Sequence, residues 1–191
     1  MKPFLSQLRQ LGCRIISVDK SIRSVYGCGS RKVPDCMARA PRANVWFEYD
    51  EFCHSRHRRT RGEGRGRDVY CNKAETKRMR EIHGDLTRLT SLPTVLVRYG
   101  ADPAKYDRDN TKCTDNPSLT RGKRVELCNA VLRTVHALNP PAGSLTIVYV
   151  GYARSARSVT QSLEHHHVQS LDDIQYLRSS LERRGWEKTA S

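Results

Sequence analysis

Four blocks rich in β-branched and aromatic residues constrain this chain most: Cys13–Val18 (CRIISV), Asn44–Asp50 (NVWFEYD), Pro93–Tyr99 (PTVLVRY) and Leu145–Val150 (LTIVYV). Helical stripes precede, separate and follow them. Phe4, Leu5, Leu8 and Leu11 suit a short amphipathic helix. Met79, Ile82, Leu86 and Leu89 share one stripe of a longer one, with Asn72 and Glu75 at capping-box spacing before it. Cys128, Val131, Leu132, Val135 and Leu138 mark another, stopped by Pro140-Pro141, and Leu171, Ile174, Leu177 and Leu181 mark a last. Strands interleaved with helices predict an α/β fold, a central mixed β-sheet flanked by helices.

Two neighbouring segments, Val33–Arg39 and Asn44–Asp50, are placed to pair as a hairpin across Ala40-Pro41-Arg42. Residues 19–32, with two glycines, read as a loop, and 100–122 as a polar loop. Residues 55–70 (SRHRRTRGEGRGRDVY) carry six arginines, three glycines and two acids, a basic loop that cannot bury much surface. No repeat is visible. A chain of 191 residues has room for one domain with a real core. The expected division is a domain over 1–152, including the basic loop, and a polar C-terminal tail over 153–191 with one helix.

A net charge of +14 favours a polyanionic partner, because each cation that meets a phosphate releases condensed counterions. Charge by itself leaves DNA, RNA, an acidic membrane surface and a basic protein without a specific partner all open. No apolar run approaches the roughly 20 residues needed to cross a bilayer, so no membrane-spanning segment is expected, and the expected partner is DNA and not a membrane. Met1-Lys2-Pro3-Phe4 is followed by no long apolar stretch, so no secretory signal is expected either. Seven cysteines, an odd number without a CxxC pair, predict neither a disulfide framework nor a zinc ribbon. They fit reduced thiols in an intracellular compartment, nucleus or cytoplasm. Cys53, His54, His57 and Cys71 could be read as metal ligands, but their spacing matches no common zinc module.

The chemistry-bearing residues gather around the hairpin. Pro34-Asp35 opens one strand and Glu48-Tyr49-Asp50-Glu51 closes the next. Alternation along a strand puts Glu48 and Asp50 on one face. Acids on adjacent strand ends suit Mg²⁺, which prefers carboxylate oxygens and can activate water for phosphodiester hydrolysis. His54 follows Glu51 by three residues, a candidate for handling protons. Glu75 and Arg78 lie one turn apart on the helix that follows. Surface carboxylates answering many arginines would produce the same spacing, and that reading stays open here.

In register, these segments resemble a known family. They are Cys28 through Asp35, Phe47 through His54, Cys71 through Glu75 to Arg78-Met79, and Pro93–Tyr99 followed by Asp102 and Tyr106. The family comprises uncharacterised proteins, many from large DNA viruses and protists, with the pattern RPD, then E-hydrophobic-DExQH, then CExxRM, then VFIRFNPDxY. It is similar to PD-(D/E)XK nucleases, and within them to the very-short-patch-repair endonuclease. The resemblance covers about residues 13–152.

What it implies is a restriction-endonuclease-like fold and a Mg²⁺- or Mn²⁺-dependent DNA endonuclease or repair-type nuclease. Asp35 matches the acid of the PD motif and Glu48 that of (D/E)XK, the two metal ligands. Asp50 stands where the motif lysine would be, His54 substitutes for that lysine in proton handling, and Glu75 and Arg78 match the helix pair. Val33 in place of Arg, Cys53 in place of Gln, and Gly100-Ala101-Asp102-Pro103 in place of the compact NPD turn depart from the pattern. Arg56, Arg58, Arg59, Arg61, Arg65 and Arg67 would hold the DNA backbone without reading bases. No small-molecule cofactor is expected.

Against the nuclease stand a catalytically inactive nucleic-acid-binding module on the same scaffold and a protein-interaction domain. Glu164-His165-His166-His167 is expected as a solvated turn, because consecutive histidines point in different directions on any regular element. Trp46 and Trp186 are expected to pack rather than stack on bases. Arg98 is expected to leave the core near the site at its strand's end.

Overall fold

A computed structural model of the chain describes residues 2–29, 31–50, 73–100, 119–151 and 165–188, with the backbone alone for 50, 73–76 and 121. The first helical stripe forms α1 (Lys2–Gln10), which buries Phe4 and Leu8 and ends at Gly12, where φ is 72°. β1 (Arg14–Val18) follows. Inside the expected loop, α2 (Ile22–Tyr26) makes a short helix. Ser21 Oγ accepts the Ser24 N–H at 3.1 Å, and left-handed Gly27 closes the turn.

β2 (Cys36–Ala40) begins later than the expected segment Val33–Arg39, after Pro34, which has no N–H to give a ladder. It pairs with β3 (Ala43–Asp50) as the expected hairpin. α3 (Lys73–Thr90) buries Met79, Ile82 and Leu86, as its stripe requires. β4 (Thr94–Gly100) is buried along its whole length. α4 (Arg121–His136) starts at Thr120, whose Oγ1 accepts the Lys123 N–H at 3.3 Å, and stops before β5 (Leu138–Asn139) and the two prolines. β6 (Leu145–Val150) is next.

Residues 165–188, expected to hold a single helix, also carry strands: β7 (His165–Val168), α5 (Leu171–Arg183) and β8 (Glu187–Lys188). A capping box between Ser170 and Asp173 starts α5. The histidine run is thus a strand and not a solvated turn. Its backbone pairs with the edge of β6, and pleating carries His166 inside at 8% exposure.

The main sheet is mixed and six-stranded, in the order β1-β2-β3-β4-β6-β7. β1, β2 and β3 run antiparallel, whereas β3, β4, β6 and β7 run parallel to one another. β5 and β8 form a separate two-stranded pair. Parallel strands bury both faces, and both are covered here. One face packs Ala38, Val45, Phe47, Val97 and Val148 against residues of α1, α4 and α5. The other packs Met37, Trp46, Leu96, Ile147 and Tyr149 against Ile22 of α2 and Met79, Ile82 and Leu86 of α3. Among the described residues no helix is long and apolar enough to cross a membrane.

Candidate active site at the carboxyl edge of the parallel strands

Asp35 stands just before β2, and β2 runs opposite to β3, so the start of one strand meets the end of the other. Cys36 pairs with Phe47, and one step further along that register sets Asp35 opposite Glu48. The Tyr49 N–H donates to Asp35 Oδ2 at 2.6 Å, which ties the two strand ends together. Glu48 and Asp50 in turn pair with Arg98 and Gly100 at the end of β4. The two acids therefore lie at the carboxyl edge of the parallel strands, where open α/β sheets leave room for ligands.

Glu48 shares the α3 face with Trp46, two residues earlier. It is 3% exposed, and a carboxylate that deeply placed needs donors. Two of them converge on Oε1: Trp46 Nε1 at 2.5 Å and Arg78 Nη2, from α3, at 2.7 Å. Arg78 also donates to the Val33 carbonyl at 3.0 Å, and its guanidinium lies over the Trp46 ring, 5.5 Å from the centroid. One arginine thus joins α3, the approach to β2 and the end of β3. Cys36, next to Asp35, registers the negative potential there. Burial first, then the charges of Asp35 and Asp19, push its thiol up to about 12, with Arg9 opposing them.

The expected site residues divide accordingly. Glu48 and Arg78 are joined directly, and Asp35 is held to the same strand end by the Tyr49 N–H. Asp50 takes the last position of β3 and Glu75 the first turn of α3, and their side chains lie outside the described residues. So do His54, all of Arg56, Arg58, Arg59, Arg61, Arg65 and Arg67, the pair Asn72–Glu75, and Cys53, His57 and Cys71. Among the described residues no group of three or more His, Cys, Asp and Glu side chains is arranged to hold a metal ion.

One participant, Trp46, was not expected at the site, and Arg98, expected near it, was expected outside the core. Trp46 packs in the core, as foreseen, and also donates to Glu48; period-2 alternation was the available signal, since it puts residues 46 and 48 on one face. Arg98 does not leave the core. It is 2% exposed, between Glu48 and Tyr149 in the register of β3, β4 and β6. Beyond it the register continues through Tyr149 to His167, so a polar row (Glu48, Arg98, Tyr149, His167) crosses the sheet two residues above the apolar row Met37, Trp46, Leu96 and Ile147.

On the opposite face, Arg124 of α4 is fully buried and reinforces the same edge, donating to the carbonyls of Gly100 at 2.8 Å and Leu119 at 3.1 Å.

Fold and site together define an α/β protein with a mixed, doubly covered sheet and a buried acid–arginine pair at its carboxyl edge. No family model, curated protein or solved structure matches the chain.

Proposed function

We propose that this chain is a metal-dependent nuclease acting on DNA, built on a restriction-endonuclease-like scaffold. The observation that carries the reading is the bond from the Tyr49 N–H to Asp35 Oδ2, which ties Asp35 to the strand end that carries Glu48 at the carboxyl edge of the sheet. The order α1, β1, α2, the antiparallel pair β2–β3, α3, then parallel β4 supports the scaffold.

Asp35 and Glu48 would hold Mg²⁺ or Mn²⁺ through their carboxylate oxygens. Carboxylate oxygens on adjacent strand ends suit a hard cation. Bound there, the ion would supply Lewis-acid activation of water and charge neutralisation at phosphorus. Arg78 holds Glu48 in place and neutralises part of its charge. Asp50, His54 and Glu75 would complete the site, with His54 in the proton-handling role, and the loop arginines would hold the DNA backbone. The net charge of +14 supports a polyanionic partner. Free thiols at Cys13, Cys28, Cys36 and Cys128 suit a reducing intracellular compartment.

A specific observation favours a second reading, a nucleic-acid-binding module without catalysis. Glu48 Oε1 is already engaged by Trp46 and Arg78, and Asp50 occupies the position of the motif lysine. Duplex binding measured with Mg²⁺ and with chelator separates the two. Binding that persists in chelator and ignores Glu48→Ala supports the module; binding whose metal dependence disappears in Glu48→Ala supports the nuclease.

A further inference from the structure

Strand geometry changes the meaning of the histidine run. Successive side chains of β7 point to opposite faces, so His165 and His167 share one face and His166 takes the other. His165 and His167 are the partly exposed members, whereas His166 is buried. Their ring centroids are 5.8 Å apart and their planes are nearly perpendicular, at 86°. A metal about 2 Å from one nitrogen of each imidazole sets the two centroids about 5.2 Å apart at a tetrahedral angle and about 5.8 Å apart when that angle opens to roughly 130°. The observed separation falls in that window.

Tyr149, on β6, orients the pair. It pairs in register with His167. Its ring stacks on that of His167 at 5.0 Å and 19°, and meets His165 edge-on at 6.4 Å. A coordinated ion lies in the plane of its imidazole, so stacking that fixes the His167 plane also fixes where an ion bound to that ring must sit. Tyr149 is itself 3% exposed, which keeps this support from moving.

We infer that His165 and His167 form a two-imidazole chelate on β7 for a borderline transition-metal cation such as Zn²⁺ or Ni²⁺, with solvent completing its coordination. Ligand type separates this site from the carboxylates of Asp35 and Glu48: imidazole nitrogen selects Zn²⁺, Ni²⁺ or Cu²⁺, and carboxylate oxygen selects Mg²⁺ or Mn²⁺. In register it lies two strands beyond Arg98, at the edge of the sheet. The chelate does not depend on the nuclease reading, and the two can fail separately.

Calorimetric titration of the full chain with Zn²⁺, in excess Mg²⁺, tests it. NMR of the histidine ring carbons and protons follows the same titration. Wild type is expected to take up one ion that shifts the His165 and His167 resonances. His165→Gln and His167→Gln should each weaken that event by more than roughly tenfold, since even the outer partners of a ligating histidine are worth that much. His166→Gln, on the opposite face, should leave it in place. Three results overturn the chelate: no saturable uptake by folded wild type, equal uptake in both single variants, or equal loss in His166→Gln. Circular dichroism of each variant separates loss of binding from loss of folding.

Discussion

Arg78 Nη2 on α3 lies 2.7 Å from Glu48 Oε1 on β3, although 30 residues separate the two in sequence. The Glu48 side chain is 4% exposed and that of Arg78 is 21% exposed. The pair sits where α3 leans on the end of the hairpin, so it belongs both to the fold and to the candidate site. A buried ion pair is poor evidence of net stability, but losing one partner strands the other.

Arg78→Met therefore removes the guanidinium held on Glu48 Oε1, and should cost about 2–3 kcal/mol of unfolding free energy. Adding Glu48→Gln should recover part of that loss, because the charge that Arg78 answered is gone as well. Urea unfolding of the wild type, both single variants and the double variant measures the coupling. Simple additivity would show that the pair is not energetically linked.

Trp46→Phe keeps most of the apolar volume and removes the Nε1 donor to Glu48. The expected loss is about 1–3 kcal/mol, the range for a hydrogen bond to a charged group. A change within a few tenths would mean that Trp46 acts by packing alone.

Alkaline stability should follow the buried thiols. Burial first raises Cys36 from 9.0 to about 12, and burial raises Cys128 as well. The unfolded chain then ionises near 9 while the folded chain keeps its protons. Stability is fully present below 9 and falls as pH rises from 9 towards 12, at up to about 1.4 kcal/mol per pH unit for each thiol. Cys36→Ala should flatten that slope in denaturation measured between pH 8.5 and 10.5. In native protein at pH 8, peptide-level alkylation should mark exposed Cys28 and spare Cys36 and Cys128.

Gly151 has φ 83°, and a Cβ there would lie 3.3 Å from Arg124 Nη1 and 3.4 Å from its Cγ. Gly151→Ala should cost about 1–3 kcal/mol through backbone strain and a displaced buried arginine. Gly143→Ala, with φ 70° and open space around the new methyl group, should cost only the backbone share of about 1 kcal/mol. Thermal unfolding of the two variants side by side checks the ranking.

The long periodic segments were legible in the sequence because burial imposes their pattern. α1, α3, α4 and α5, and β1, β3, β4 and β6, come from runs whose apolar spacing marks them, and β2 from its place before the hairpin turn. What escaped is either too short to show a period or depends on neighbours far away in sequence. α2 is a short helix decided by a cap at Ser21 and a left-handed Gly27, in a segment without apolar periodicity. β7 is a run of histidines that becomes a strand because β6 offers an unpaired edge, information absent from the run itself. At the site, spacing could put Glu48 on a face but could not say that Trp46 and Arg78 converge on one of its oxygens. Arg98 looked like a residue bound for solvent because its register neighbours, Glu48 and Tyr149, come from two other strands.

The central claim is that the acids at 35 and 48 act together on a phosphodiester, and one assay addresses it. Purified wild type should nick or cut plasmid, linear duplex or single-stranded DNA with Mg²⁺ or Mn²⁺ and lose that activity in chelator. Asp35→Asn and Glu48→Gln, shown to be folded, should each cut at least about 100-fold more slowly, since both would hold the ion. Wild type that cuts none of these substrates with either metal, or variants that cut as fast as wild type, would contradict the account.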